Sequence, residues 1–177
     1  LTAASNGDTI RADSNIPENI DINKEIIVAC NGTTISGTLT ISAANSHGTS
    51  ATVKDCTISN QITISGVDAK LQNNTITYDH ASNFAVTTTN ASNTVTIGGS
   101  GQGNTIESRN AIQANSAADG TITITHNTIG NANQYNQEGI QGLASNLVIT
   151  NNVFTTDLAG RKITKDFGAN LRHLMWP

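Results

Sequence analysis

One short phrase recurs along the chain and restricts the folds open to it. The phrase is an alternating apolar–polar–apolar strand, a polar turn that usually contains Asn, and then Thr-Ile or its equivalent; one copy runs from Ile122 to Ile129. The apolar residues that close the copies are Ile35, Ile58, Ile76, Ile106, Ile129 and Phe154. They are separated by 18 to 30 residues, a period typical of solenoid proteins. Because the phrase is constant and the spacing is not, insertions are expected in turns.

A second apolar strand follows each closing residue. Its core positions are Leu39, Ile62, Val86, Ile112 and Ile140. Stacked coils pair each strand in parallel with its copies above and below, and bury like residues in columns. The polar connections are too short for the crossover helices of a βαβ sheet, and an antiparallel sandwich does not explain one phrase repeated in one direction. We therefore predict an all-β fold, a right-handed parallel β-helix of about six coils over residues 1–159.

The last stretch, residues 160–177, departs from the repeat. Ile163, Phe167, Leu171 and Leu174 recur at helical spacing, with basic residues between them. Since an open solenoid end exposes unpaired strand edges, this stretch is predicted to be a C-terminal helical cap. The alternative is that it begins a linker or another module.

An Asn occupies the turn of most copies. The predicted ladder consists of Asn31, Asn74, Asn104, Asn127 and Asn152, with Cys56 on the missing rung. A stacked amide can donate to one neighbouring coil and accept from the other, so the row is interpreted as structural. A glycan-binding row is the alternative.

The two cysteines, Cys30 and Cys56, fall in adjacent coils. Vertical neighbours in such a stack lie within the Cα range of a disulfide. A disulfide and a pair of buried thiols both remain open.

The opening coils carry a resemblance to a known family. Residues Ala4 to Ile10 (ASNGDTI), Glu18 to Val28 and Asn31 to Gly37 are similar to the first coils of the pectate-lyase-like right-handed β-helix superfamily, in its bacterial secreted and surface-protein form. The resemblance covers residues 4–158 and implies fold more than function, because the superfamily includes lyases, hydrolases and non-catalytic adhesins.

Catalysis by the enzymes of that superfamily implies clustered acids or a Ca²⁺ nest. The best grouping here is Asp79, His80, Glu107, Arg109 and Glu138. These candidate catalytic residues follow closing residues in successive coils, but each coil supplies one carboxylate, whereas glycoside hydrolysis uses a pair. A solvated face is the preferred interpretation, and no metal-ligand spacing or cofactor motif is found.

Thr-rich strands suggest a further alternative. Outward Thr38, Thr40, Thr63, Thr94, Thr96, Thr121, Thr123 and Thr125 are also compatible with an ice-binding solenoid. Uneven coil length argues against the flat array that such a surface needs, and exposed Thr is common on strands.

Charge excludes some partners. Nine basic and 13 acidic residues give a net charge of −4, with no basic stripe for nucleic acid, and no apolar run is long enough to span a membrane. The expected function is a non-catalytic extracellular or cell-surface module, an adhesin or stalk segment whose partner is a glycan or surface protein. The alternative is a polysaccharide lyase or hydrolase of the same fold.

Overall fold

The chain folds into a parallel β-solenoid in which successive coils each add a strand to three sheets. The computed structural model describes residues 3–42, 50–66, 68–89, 94–115, 120–130, 138–142, 144, 146–155 and 162–165. Within these residues the strands pair in parallel and no helix occurs. The predicted all-β parallel solenoid is therefore confirmed.

Sheet A is built from the strands that open each phrase. It contains β1 (Thr9–Arg11), β3 (Ile27–Ala29), β6 (Ala51–Lys54), β9 (Ala69–Gln72), β12 (Thr94–Gly98), β15 (Thr121–Thr125) and β18 (Asn146–Thr150). Its inner column runs through Ile10, Val28, Val53, Leu71, Ile97, Ile124 and Ile149. Alternation of apolar and polar residues turns these side chains into the core and their neighbours to solvent.

Sheet B is built from the short strands that close each phrase. It contains β4 (Thr34–Ile35), β7 (Thr57–Ile58), β10 (Thr75–Thr77), β13 (Thr105–Glu107), β16 (Thr128–Gly130) and β19 (Val153–Thr155). Its inner column is Ile35, Ile58, Ile76, Ile106, Ile129 and Phe154, and Ile16 extends it through an isolated bridge to Ile35. The predicted column of closing residues is confirmed.

Sheet C is built from the strands that follow the closing residues. It contains β2 (Ile20–Ile22), β5 (Leu39–Ile41), β8 (Ile62–Ser65), β11 (Val86–Thr89), β14 (Ile112–Ala114), β17 (Glu138–Gly142) and β20 (Lys162–Lys165). The predicted column Leu39, Ile62, Val86, Ile112 and Ile140 is in register and no more than 1% exposed. The core thus lies between the three sheets along the rod.

The coil count is higher than the sequence indicated. Sheets A and C have seven described strands each and sheet B has six, one layer more than the six coils predicted. The additional layer is the first, formed by β1, Ile16 and β2. Its closing pair is Asn15-Ile16 in place of Thr-Ile, so this layer does not match the full phrase in the sequence.

The predicted helical cap is wrong where the structure describes it. Lys162–Lys165 forms β20 and pairs in parallel with β17, so the repeat continues past residue 159. Pairing with a neighbouring strand overrides the helical spacing that Ile163 shares with Phe167. The remainder of residues 160–177 lies outside the described residues.

Candidate functional site

A ladder of Asn side chains fills the corner between sheets A and B. Asn104 Oδ1 accepts from Asn74 N and Nδ2 at 2.9 and 3.0 Å, and Asn127 Oδ1 accepts from Asn104 N and Nδ2 at 3.0 and 2.9 Å. Asn152 Oδ1 receives the same pair from Asn127 at 2.9 Å each. Each Nδ2 also donates to a carbonyl of the preceding coil, and these carbonyls belong to Val53, Leu71, Ile97 and Ile124.

Burial shows what the ladder does. Asn74, Asn104 and Asn127 are each 1% exposed, and a buried amide without partners is costly. Because every rung is satisfied by its neighbours, the ladder fixes the register between coils, as the structural interpretation expected.

The first predicted rung of the ladder, Asn31, is wrong. Asn31 is exposed, with φ at 45°, and lies outside the ladder. Four residues separate β3 from β4, whereas two separate β6 from β7 and β9 from β10, so Asn31 belongs to a longer turn.

A disulfide ends the ladder instead. Cys56 N–H donates to Asn74 Oδ1 at 3.1 Å, which places Cys56 on the rung before Asn74. Its sulfur is bonded to Cys30 of the preceding coil, with the Cα atoms 4.7 Å apart. Of the two alternatives left open by the sequence, the structure contains the disulfide.

Two neighbouring turns between sheets B and C bring together part of the candidate catalytic set. Arg109 Nε lies 2.6 Å from Asp79 Oδ1, and Arg109 Nη2 donates to Asp79 Oδ2 at 3.4 Å. The turns that carry them are clamped together, since Ser108 Oγ donates to the Tyr78 carbonyl and Ala85 N donates to the Asn110 carbonyl. The geometry is that of an ion pair joining two coils.

His80 lies beside this ion pair and also has local partners. Its Nδ1 accepts from the backbone N–H groups of Ser82 and Asn83 at 3.2 and 3.1 Å. The ring stacks on Tyr78 with centroids 5.7 Å apart and planes 5° from parallel. Nδ1 therefore acts as a hydrogen-bond acceptor that holds the backbone of its own turn.

The contacts described for Asp79 and Arg109 do not include the other two candidates. Glu107 is exposed on β13, where its register neighbours are Thr77 and Gly130 and not Asp79. Glu138 begins β17 in sheet C, and its side chain lies outside the described residues. Among the side chains that the structure describes, the group therefore consists of Asp79, His80 and Arg109.

A row of threonines on the outside of sheet B was not singled out from the sequence. Its members, named here the Thr column, are Thr34, Thr57, Thr75, Thr105 and Thr128. Each precedes a closing Ile, and in-register pairing places them one strand spacing apart, about 4.8 Å. The sequence signal for this column is the Thr of the recurring Thr-Ile pair, whose Ile marks the core position.

The threonines proposed for ice binding divide between two faces. Thr40 and Thr63 are register neighbours on sheet C, whereas Thr96 and Thr123 are neighbours on sheet A. Insertions lie in the turns, so unequal coil length does not disturb either register.

Metal ligands, membrane-spanning helices and similar proteins were each looked for in turn among known features. Across the described ranges, no group of three or more His, Cys, Asp or Glu side chains could hold a metal ion. In the same part of the chain, no helix has the length and hydropathy to cross a membrane. Comparisons with models of known protein families, with curated proteins and with solved structures gave no match.

Proposed function

We propose that the chain is a non-catalytic extracellular or cell-surface module, a stiff stalk or adhesin segment that contacts a glycan through sheet B. The observation that carries this proposal is the Thr column. Five hydroxyls lie in register on one face, and the described outward positions of its strands carry a single charge, that of Glu107. A neutral array of donors and acceptors suits the hydroxyls of an extended saccharide.

Stiffness supports the same role. The Asn ladder links coils four to seven, and the Cys30–Cys56 disulfide links coils two and three. Disulfides persist in oxidising compartments, which supports the proposed extracellular location. The parallel solenoid with its Asn ladder also supports the resemblance to the pectate-lyase-like superfamily and the right-handed coil proposed with it.

The contacts of the candidate catalytic residues point the same way. The Asp79 carboxylate is engaged by Arg109 through both of its oxygens. A general acid or base must exchange protons with the substrate, so a carboxylate held in an ion pair favours a structural role for this turn.

Binding to immobilised polysaccharides tests the proposal. The double substitution Thr75→Lys with Thr105→Lys adds bulk and charge to neighbouring positions of the Thr column and is expected to abolish retention. Thr96→Lys with Thr123→Lys is the matched control, because these two are outward register neighbours on sheet A. Equal retention by both variants would exclude sheet B as the contact face.

The second candidate function is a polysaccharide-active enzyme. It is favoured by the stacked Tyr78–His80 pair beside the Asp79–Arg109 ion pair. We expect no cleavage of uronic-acid or neutral polymers, with or without Ca²⁺. Turnover that is lost in Asp79→Asn, Glu107→Gln or Glu138→Gln would establish the enzyme instead.

Ice binding is a third candidate because the Thr column is regular. It predicts thermal hysteresis that disappears in the Thr75→Lys, Thr105→Lys variant. We expect no hysteresis in the unmodified chain, since a single Thr column flanked by residues as different as Glu107 and Gly130 does not form a uniform two-column surface.

A further inference from the structure

An exposed Asn-Gly pair, Asn31 and Gly32, lies in the turn between β3 and β4. Both residues have left-handed backbones, with φ at 45° and 85°. A Cβ at Gly32 would have no neighbour within 4 Å, so the glycine is required by its φ and not by lack of space. Asn is another residue that tolerates a left-handed backbone. The geometry of the turn therefore favours the dipeptide Asn-Gly.

An Asn-Gly pair can react with itself, because glycine has no side chain to hinder the approach of its nitrogen to the preceding side chain. In this reaction the Gly32 nitrogen attacks Asn31 Cγ, a C–N bond forms, and the amide nitrogen of Asn31 leaves as ammonia. Water then opens the cyclic imide at either carbonyl and gives aspartate or isoaspartate. Asparagine is accordingly among the thermolabile residues, and the only co-reactant is water.

The folded chain restrains this reaction at the contact between the second and third coils. Gly32 N–H donates to the Asp55 carbonyl at 2.7 Å, and the Cys30–Cys56 disulfide joins the same two turns. Cys30 precedes Asn31 and Cys56 follows Asp55, so the bridge and the hydrogen bond are neighbours. A nitrogen whose proton is held by a carbonyl is a poor nucleophile, so the reaction requires local opening of this contact. The covalent bridge limits how far the two turns can separate.

We propose that Asn31 is a site of spontaneous conversion to aspartate and isoaspartate, and that the Cys30–Cys56 disulfide controls the rate. While the bridge is intact, the hydrogen bond to Asp55 keeps the Gly32 nitrogen away from Asn31 Cγ. When the bridge is reduced, the two turns separate more often and the conversion accelerates. The site does not involve the Thr column, so it stands independently of the proposed glycan contact.

The two products differ in their effect on the turn. Aspartate leaves the backbone as it is, at an exposed position. Isoaspartate carries the chain through the former side chain of Asn31, which lengthens the backbone by a methylene group and leaves a carboxylate as the branch. The Gly32 N–H is then displaced from the Asp55 carbonyl that it contacts in the unmodified chain. Because the conversion is irreversible, the chain keeps a record of past reduction after the bridge has formed again.

A second Asn-Gly pair provides an internal control. Asn6 is exposed and precedes Gly7, whose φ is 88°. Gly7 N–H donates to the Glu25 carbonyl at 2.8 Å, and Asn6 Oδ1 accepts from the Glu25 N–H at 3.3 Å. These contacts join the first coil to the second, whereas the disulfide joins the second coil to the third. Reduction is therefore expected to leave the rate of conversion at Asn6 unchanged.

Peptide mass spectrometry of the full chain, aged at neutral pH with and without reductant, tests the proposal. Trypsin releases Asn31 between Lys24 and Lys54, and Asn6 before Arg11, so separate peptides report the two sites. Conversion at Asn31 is expected to be several-fold faster after reduction, with isoaspartate among the products, whereas Asn6 keeps its rate. Equal rates at Asn31 in both states, or no conversion in either, would overturn the proposal.

The double variant Cys30→Ser, Cys56→Ser removes the bridge without reductant and is expected to reproduce the faster conversion. Fragmentation of the peptide distinguishes Asn31 from Asn45, which the same peptide contains. An equal acceleration at Asn6 would show that the first coils unfold together, and control by the contact between the second and third coils would then be wrong.

Gly32→Ala in the same double variant tests the route of the reaction. Alanine is strained at a φ of 85°, which favours opening of the turn, but its methyl group hinders attack of the nitrogen on Asn31 Cγ. Conversion is therefore expected to slow several-fold although the turn opens more readily. Unchanged or faster conversion would mean that water removes the amide directly, and the cyclic route would be wrong.

Discussion

At the residue level, the corner between sheets A and B contains two consecutive positions, one that requires a positive φ and one that requires an inward hydrogen-bonding side chain. The first position takes a left-handed backbone, as at Asn73 (φ 55°), His126 (φ 58°) and Asn151 (φ 54°). The second turns its side chain inward and supplies the ladder, as at Asn74, Asn127 and Asn152. Asn is favoured at both, because it tolerates positive φ and its amide both donates and accepts.

This double preference explains the error at Asn31. The sequence correctly indicates an Asn ladder, since Asn recurs at one place in the phrase. The turn from Cys30 to Thr33 has four residues, two more than the turn between β6 and β7, and it contains a single Asn. Residue type alone cannot decide which of the two corner positions that Asn occupies. The pairing that decides it involves Asp55, whose carbonyl accepts from Gly32 N, and no local pattern encodes it.

Replacing a rung should be far more damaging than replacing Asn31. Asn104→Asp removes the donor that reaches the Leu71 carbonyl and Asn127 Oδ1 and places a buried carboxylate oxygen against these two acceptors, at a cost of roughly 3–5 kcal/mol. Asn31→Asp, the matched control, changes the same atoms on an exposed turn and should cost less than about 0.5 kcal/mol. Urea unfolding measures both, and similar midpoints would mean that the ladder contributes little to stability.

The disulfide should stabilise the first coils strongly. Its cysteines are 26 residues apart, and closing a loop of that length stabilises the fold by about 3.5 kcal/mol in the chain-entropy view. We expect the double variant Cys30→Ser, Cys56→Ser to unfold at clearly lower temperature. The unmodified chain, unfolded without reductant, should show no reactive thiol, and two reactive thiols would contradict the bridge.

At the level of elements, the apolar columns could be predicted and the turns could not. A strand needs only alternation and a copy of itself above and below, both of which are visible in the sequence. The ion pair between Asp79 and Arg109 depends on how an eight-residue turn folds over a four-residue one. Its partners are 30 residues apart, and nothing in the repeat relates them.

The core columns predict that substitutions at adjacent residues of one strand differ sharply in their effect on the free energy of unfolding. Ile124 is fully buried in β15, so Ile124→Ala should cost about 2–5 kcal/mol through the cavity it leaves. Thr123→Ala, the preceding outward residue, should change the free energy of unfolding by less than about 0.5 kcal/mol. Chemical denaturation of the two variants checks the assignment, and a cost near zero for Ile124→Ala would mean that the column is not part of the core.

For the whole molecule, a stack of coils distributes stability along its axis. Each coil contacts mainly its two neighbours, so a coil inside the stack is held on both sides and an end coil on one. The disulfide connects the second and third coils, whereas the seventh has half-buried Leu147, Ile149 and Phe154 in its core positions. The rod is therefore expected to open from its C-terminal coil.

Hydrogen exchange measures this gradient directly, because it reports the free energy of opening at each amide. Amides of β9 and β12, in the middle of sheet A, should exchange most slowly and those of β18 and β19 most rapidly. Reduction of the disulfide should accelerate exchange in β3 and β6 while leaving β15 nearly unchanged, because the bridge lies three coils away from that strand. Uniform protection from β3 to β18, with a uniform response to reduction, would instead mean that the seven layers open as one cooperative unit.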